Sequence, residues 1–75
     1  MSETNMRQIL ESRMGNYLQG KMQYHEANVH VFLNNPTGIG EHPDIMECIE
    51  SELGKIAEYK EKLDVLGELV QNGGQ

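Results

Sequence analysis

Apolar residues recur at helical spacing in two stretches of the chain, from Met6 to Leu33 and from Ile45 to Val70. In the first, Leu18, Met22, His25, Val29 and Phe32 follow alternating steps of four and three, the spacing of a helix–helix seam. A second row, Leu10, Tyr17, Tyr24 and Val31, repeats every seven residues beside it. Together the two rows cover more of the helix circumference than one partner helix occupies. In the second stretch Met46, Ile49, Leu53, Ile56, Leu63, Leu66 and Val70 form one stripe, interrupted by Lys60 and Gly67. Cys48, Tyr59 and Leu66 flank that stripe on one side, and Glu47, Glu50, Glu58, Glu61 and Glu68 fall on the opposite face.

Between the stretches lies Asn34-Asn35-Pro36-Thr37-Gly38-Ile39-Gly40-Glu41-His42-Pro43, the only segment dense in turn formers. Pro36 disfavours helical geometry at Asn35, and Pro43 suits the first position of a new helix, where its missing N–H costs nothing. Asp44 and Glu47 then meet the positive end of that helix's dipole. The expected organisation is one domain over residues 1–75: a helix over about 4–33, a loop over 34–42 and a helix over about 43–71. The fold class is all-α, an antiparallel two-helix hairpin. Folding at the loop places Phe32 by Ile45, Val29 by Ile49, His25 by Glu52 or Leu53, Met22 by Ile56, Leu18 by Tyr59–Lys60 and Leu10 over Gly67. Each arm is roughly 40 Å long at 1.5 Å per residue.

Composition turns the pattern into an expectation about assembly. Only 37% of the 75 residues are apolar, with three tyrosines, one phenylalanine and no tryptophan. A core this small usually needs a staple, and the single Cys48 supplies no internal disulfide. The stripe residues Leu18, Met22, Val29, Phe32, Met46, Ile49, Leu53, Ile56, Leu63 and Leu66 are therefore expected to hold both the hairpin and a homo-oligomer, as a dimeric four-helix bundle or larger. No apolar run approaches the roughly 18 residues of a membrane span, and no signal-peptide pattern is present, so a cytoplasmic protein without membrane contact is expected.

Charge narrows the partners. The net charge of −6 argues against direct nucleic-acid binding, which needs clustered Lys and Arg. Residues 1–40 carry three acids and three bases, whereas residues 41–75 carry nine acids and three bases. The acids Glu47, Glu50, Glu58, Glu61 and Glu68 can serve as a docking ridge for a basic surface or as a solvated helix face.

Candidate chemistry is sparse. Gly38-Ile39-Gly40 lacks the lysine and preceding strand of a phosphate loop, and Glu41 and Asp44 repel an anion. His42-Pro43-Asp44 resembles the tripeptide of J-domain co-chaperones, but the preceding helix, with Arg7, Arg13 and Lys21 balanced by acids, lacks the basic surface a J-domain carries. Glu26 and His30 offer two metal ligands at one helix face, short of a di-iron bundle's requirement. Cys48 has acidic neighbours that disfavour a thiolate, and no serine stands by a base. No enzyme, metal or cofactor is expected. The loop and helix start, Asn34, Asn35, Thr37, Gly38, Gly40, Glu41, His42 and Asp44, form the most distinctive patch and the expected partner-binding surface.

Asn28-Val29, Gly38-Ile39-Gly40-Glu41-His42-Pro43-Asp44-Ile45-Met46-Glu47, Ile56-Ala57-Glu58-Tyr59 and Lys62-Leu63 together resemble a group of short helical proteins of tailed bacteriophages, including T4-like phages of cyanobacteria. The resemblance covers about half the chain. It implies a phage accessory protein in the host cytoplasm, directed at a host protein or defence pathway, and assigns no activity. The expectation is a non-enzymatic, self-associating hairpin that binds another macromolecule. Three alternatives stand beside it: an oligomeric sponge for a cyclic-nucleotide immune signal, with a pocket lined by Tyr17, Lys21, Tyr24 and the loop; an acidic DNA mimic; and a minor structural virion protein.

Overall fold

The computed structural model describes residues 5–34 and 44–73, and these form two helices, α1 (Met6–Asn34) and α2 (Asp44–Gly73). The start of α1 is set by Asn5. Its side-chain Oδ1 accepts the Gln8 backbone N–H at 2.9 Å, and its carbonyl accepts the Ile9 N–H at 3.2 Å. This is an N-cap, which satisfies a donor the helix itself leaves orphaned. The start of α2 carries Asp44 and Glu47 in its first turn, where their charge complements the helix dipole. The observed ends differ from the expected ones by one or two residues, and Asn34 belongs to α1. Residues 35–43, including Asn35, Pro36, Thr37, Gly38, Gly40, Glu41, His42 and Pro43, lie outside the described residues.

The helices pack against each other in antiparallel fashion. His25 pairs with Glu52, Asn28 also reaches Glu52, and Gly15 faces Leu66, so position falls along α2 as it rises along α1. Buried and half-buried residues at steps of four and three define the seam, with Ile9, Lys21, Glu26 and Asn28 half-buried beside it. On α1 the seam residues are Glu11, Gly15, Leu18, Met22, His25, Val29 and Phe32; on α2 they are Ile45, Ile49, Glu52, Ile56, Tyr59, Leu63 and Leu66. Both series alternate steps of four and three, which keeps one stripe of each helix on the other. Leu18, 7% exposed, is the one buried side chain among the described residues.

This seam corrects the second-helix stripe. Met46 and Leu53 are 71% and 51% exposed and stand outside the contact between the helices. Ile45, Glu52 and Tyr59 take the positions beside Ile49, Ile56 and Leu63, which keep their place, so one row of the stripe moves by a residue and the centre of the face turns by roughly 50°. Tyr59 lies within the seam instead of flanking it, and Leu66 keeps its place in the stripe. The rotation also displaces the expected Leu10–Gly67 contact: Gly67 has no side-chain neighbour within 4 Å, and Leu10 is exposed.

A pair of helices has a seam but no interior. The radius of gyration is 17.4 Å, against about 11 Å for a compact domain of this length. The accessible surface is 5897 Å², where a globular monomer of 8.5 kDa exposes roughly 4,700 Å². No helix among the described residues is long and apolar enough to cross a membrane.

Two substitutions probe the seam. A Cβ added at Gly15 would lie 3.9 Å from Leu66 Cδ2, an ordinary packing distance, so Gly15→Ala gains helix propensity without a clash. It should stabilise the protein by about 1 kcal/mol in urea unfolding. Leu18→Ala should cost about 2–3 kcal/mol in the same measurement, because it empties the most enclosed position.

Candidate functional site

At mid-length the apolar seam is interrupted by a polar, aromatic layer. His25 Nδ1 lies 2.6 Å from Glu52 Oε1, and Asn28 Nδ2 donates to the same oxygen at 3.2 Å. A carboxylate only accepts, which places the histidine proton on Nδ1. The His25 and Glu52 side chains are 14% and 20% exposed. The His25 ring stacks on Tyr59, with centroids 6.0 Å apart, and meets Tyr24 edge-on at 5.0 Å. Lys62 Nζ sits 5.0 Å from the centre of the Tyr59 ring and donates to Glu58 Oε2 at 2.9 Å. Hydrogen bonds from His25 and then Asn28 hold the Glu52 carboxyl below its ordinary value, with smaller help from the charges of His25 and Lys55. Lys62 is held above the ordinary lysine value, chiefly by Glu58 and to a smaller extent by Tyr59 and Tyr17.

In an antiparallel pair, positions that precede the seam residues by one on each helix share a flank. Lys62 precedes the seam residue Leu63, as Lys55 precedes Ile56 and Asn28 precedes Val29. On this side of the seam stand Met14, Lys21 and Asn28 of α1 beside Cys48, Lys55, Lys62 and Leu69 of α2. Immediately outside them on α1 is the seven-residue row Leu10, Tyr17, Tyr24 and Val31, each 57–61% exposed. Val65 of α2 is exposed between Lys62 and Leu69. The result is one broad apolar and aromatic face that carries Lys21, Lys55 and Lys62. At its open end Leu10, Glu11, Arg13, Met14, Tyr17 and Leu66 line a shallow groove of about 530 Å³.

The other sequence-predicted positions are distributed elsewhere. Glu47, Glu50, Glu61 and Glu68 are exposed on the far side of α2, and Glu58 is exposed but tied to Lys62. The ion pairs among the described residues are Arg7–Glu11, His25–Glu52 and Lys62–Glu58. Asn34 and Asp44 are exposed at the facing helix ends. Cys48 is a free, exposed thiol. Among the described residues no three His, Cys, Asp or Glu side chains cluster as metal ligands would. Sequence reasoning missed Lys55, Lys62, Val65 and Leu69 as members of the tyrosine face. Their signal was available: Lys55, Lys62 and Leu69 repeat every seven residues, as the tyrosine row does.

The Glu52 environment has a pH signature. A carboxyl held low by folding stabilises the native state above its unfolded value, and that contribution disappears as pH falls through the folded one. Wild-type protein should therefore lead Glu52→Gln in urea midpoint at neutral pH. The lead should shrink progressively as pH drops below the ordinary carboxyl value of 4.5. A difference that stays constant from pH 7 to pH 3 would contradict this account.

Comparison with protein-family models, with curated proteins and with solved structures finds no match to this chain.

Proposed function

We propose that this protein is a non-enzymatic phage accessory protein that works by binding: a helical hairpin that self-associates and modulates a host protein or defence pathway from within the host cytoplasm. One observation carries the binding part of the reading. Among the described residues Leu18 is the one buried hydrophobic side chain, while Leu10, Met14, Tyr17, Tyr24, Val31, Val65 and Leu69 are exposed together. Isolated monomers rarely keep an apolar patch larger than a few hundred Å² in water. The phage assignment rests on the sequence resemblance from Asn28 to Leu66, part of which lies in residues 35–43. The acidic ridge Glu47, Glu50, Glu61 and Glu68 and the connection bounded by Asn34 and Asp44 are the surfaces left for the host partner. Sedimentation at micromolar concentration tests the self-association. Dimers or larger species are expected, and a stably folded monomer would sink the reading.

A second reading has specific support, the sponge for a cyclic-nucleotide signal. Tyr17 and Tyr24 offer faces on which bases stack, and Lys21, Lys55 and Lys62 on the same flank offer charge to phosphates. This concentrates basic groups on one side of a chain that is acidic as a whole. A thermal-shift screen with cyclic mono- and dinucleotides tests it: one of them should raise Tm saturably, and Lys21→Glu should abolish the shift. Absence of any shift across the set would remove this reading and leave the first intact.

A further inference from the structure

We infer that the tyrosine face is an isologous interface with a second copy of this chain, with α1 crossing α1 of the partner in antiparallel fashion about a two-fold axis between Tyr17 and Tyr24. The inference rests on the proposed self-association and adds where it occurs, by what symmetry and in what register.

Area is the first argument. At the exposures observed, the seven large side chains of this face offer on the order of 700 Å² per chain, close to the roughly 800 Å² per partner of a stable complex. The opposite flank offers Leu33, Met46 and Leu53 among glutamates and lysines, less than half as much apolar surface.

Symmetry is the second. A two-fold axis requires a surface to complement itself. The row on α1 does so about its midpoint: Tyr17 meets Tyr24 of the partner subunit, and Leu10 meets Val31 of the partner subunit. Pairs of this kind match large with large at the centre and aliphatic with aliphatic at the rim.

Charge is the third. The pairings of His25 with Glu52 and Gly15 with Leu66 place the axis level with the middle of α2, near Lys55 and Glu58. Lys55 of one copy then comes within about a turn of Glu58 of the other, twice over. The acidic ridge of Glu47, Glu61 and Glu68 faces away on both copies, so these carboxylates stay apart. A head-to-tail stack would instead set tyrosines on that charged ridge and desolvate its carboxylates, which is costly.

Site-directed cross-linking in a Cys48→Ser background tests the register. An equimolar mixture of Tyr17→Cys and Tyr24→Cys chains should give a disulfide-linked dimer on mild oxidation. Neither variant alone should match its yield, because like positions lie about 10 Å apart along the antiparallel helices. As an independent readout, Tyr17→Lys with Tyr24→Lys should weaken association at least tenfold by sedimentation and keep its helical circular dichroism. Met46→Lys with Leu53→Lys should associate as the wild type does. Cross-linking through Met46→Cys or Leu53→Cys, with no yield from the tyrosine mixture, would overturn the inference and leave self-association standing. Wild-type protein that sediments as a monomer would overturn both, and the face would then belong to a different occupant.

Discussion

Two helices in contact bury one stripe each, and what that stripe leaves uncovered governs everything else about this chain. The seam runs in unbroken steps of four and three from Glu11 to Phe32 and from Ile45 to Leu66, yet among the described residues it buries only Leu18. A third layer would bury the residues next to the seam. Without one, Tyr17 and Tyr24 keep more than half of their surface in water although their row is as regular as the seam itself. An amphipathic helix with two apolar rows is built for two neighbours, and the hairpin supplies one.

The polar layer at His25, Asn28 and Glu52 gives the seam its register. An all-apolar seam of Ile, Leu, Met and Val tolerates a slip of one heptad, since one aliphatic contact replaces another at small cost. Slipping Glu52 away from His25 and Asn28 would leave a half-buried carboxylate without its donors, a far larger penalty. Tyr59 stacks beneath His25, and Lys62 covers Tyr59, so the layer is braced from the side that carries the tyrosine row. The layer thus links the contact inside the hairpin to the face outside it, because the His25 ring touches both Tyr24 and Tyr59.

Much of this was legible in the residues. Two helices joined near Pro36 and Pro43 follow from periodicity and turn chemistry, and the register that set His25 against Glu52 follows from matching the two arms. The rotation of α2 was harder to read, because hydrophobicity alone prefers Met46 and Leu53 to Glu52 and Tyr59. The seam instead takes the phase that satisfies most of Ile45, Ile49, Ile56, Leu63 and Leu66, and accepts Glu52 because His25 and Asn28 stand opposite. Partnered polar groups are invisible to a count of apolar residues. The lysine flank was hidden for a related reason. Charge summed along the chain separates a neutral arm from an acidic one, whereas antiparallel packing lays the arms side by side and sorts charge across the molecule.

That sorting bears on function more than the net charge does. Lys21, Lys55 and Lys62 share a flank with the tyrosines, while Glu47, Glu61 and Glu68 point away from it. A two-helix layer is too thin to enclose a ligand, and the groove lined by Leu10, Met14, Tyr17 and Leu66 at one end is shallow. Any enclosed binding site must therefore be completed by another surface set against the tyrosine face. If that surface is a second copy, two sets of lysines and tyrosines converge at one interface, and the acidic ridges end up outermost. The same architecture then offers an inner surface suited to anionic aromatic ligands and an outer one suited to basic partners. The two proposed modes of action thus differ in which side of one assembly is used, not in how the chain folds.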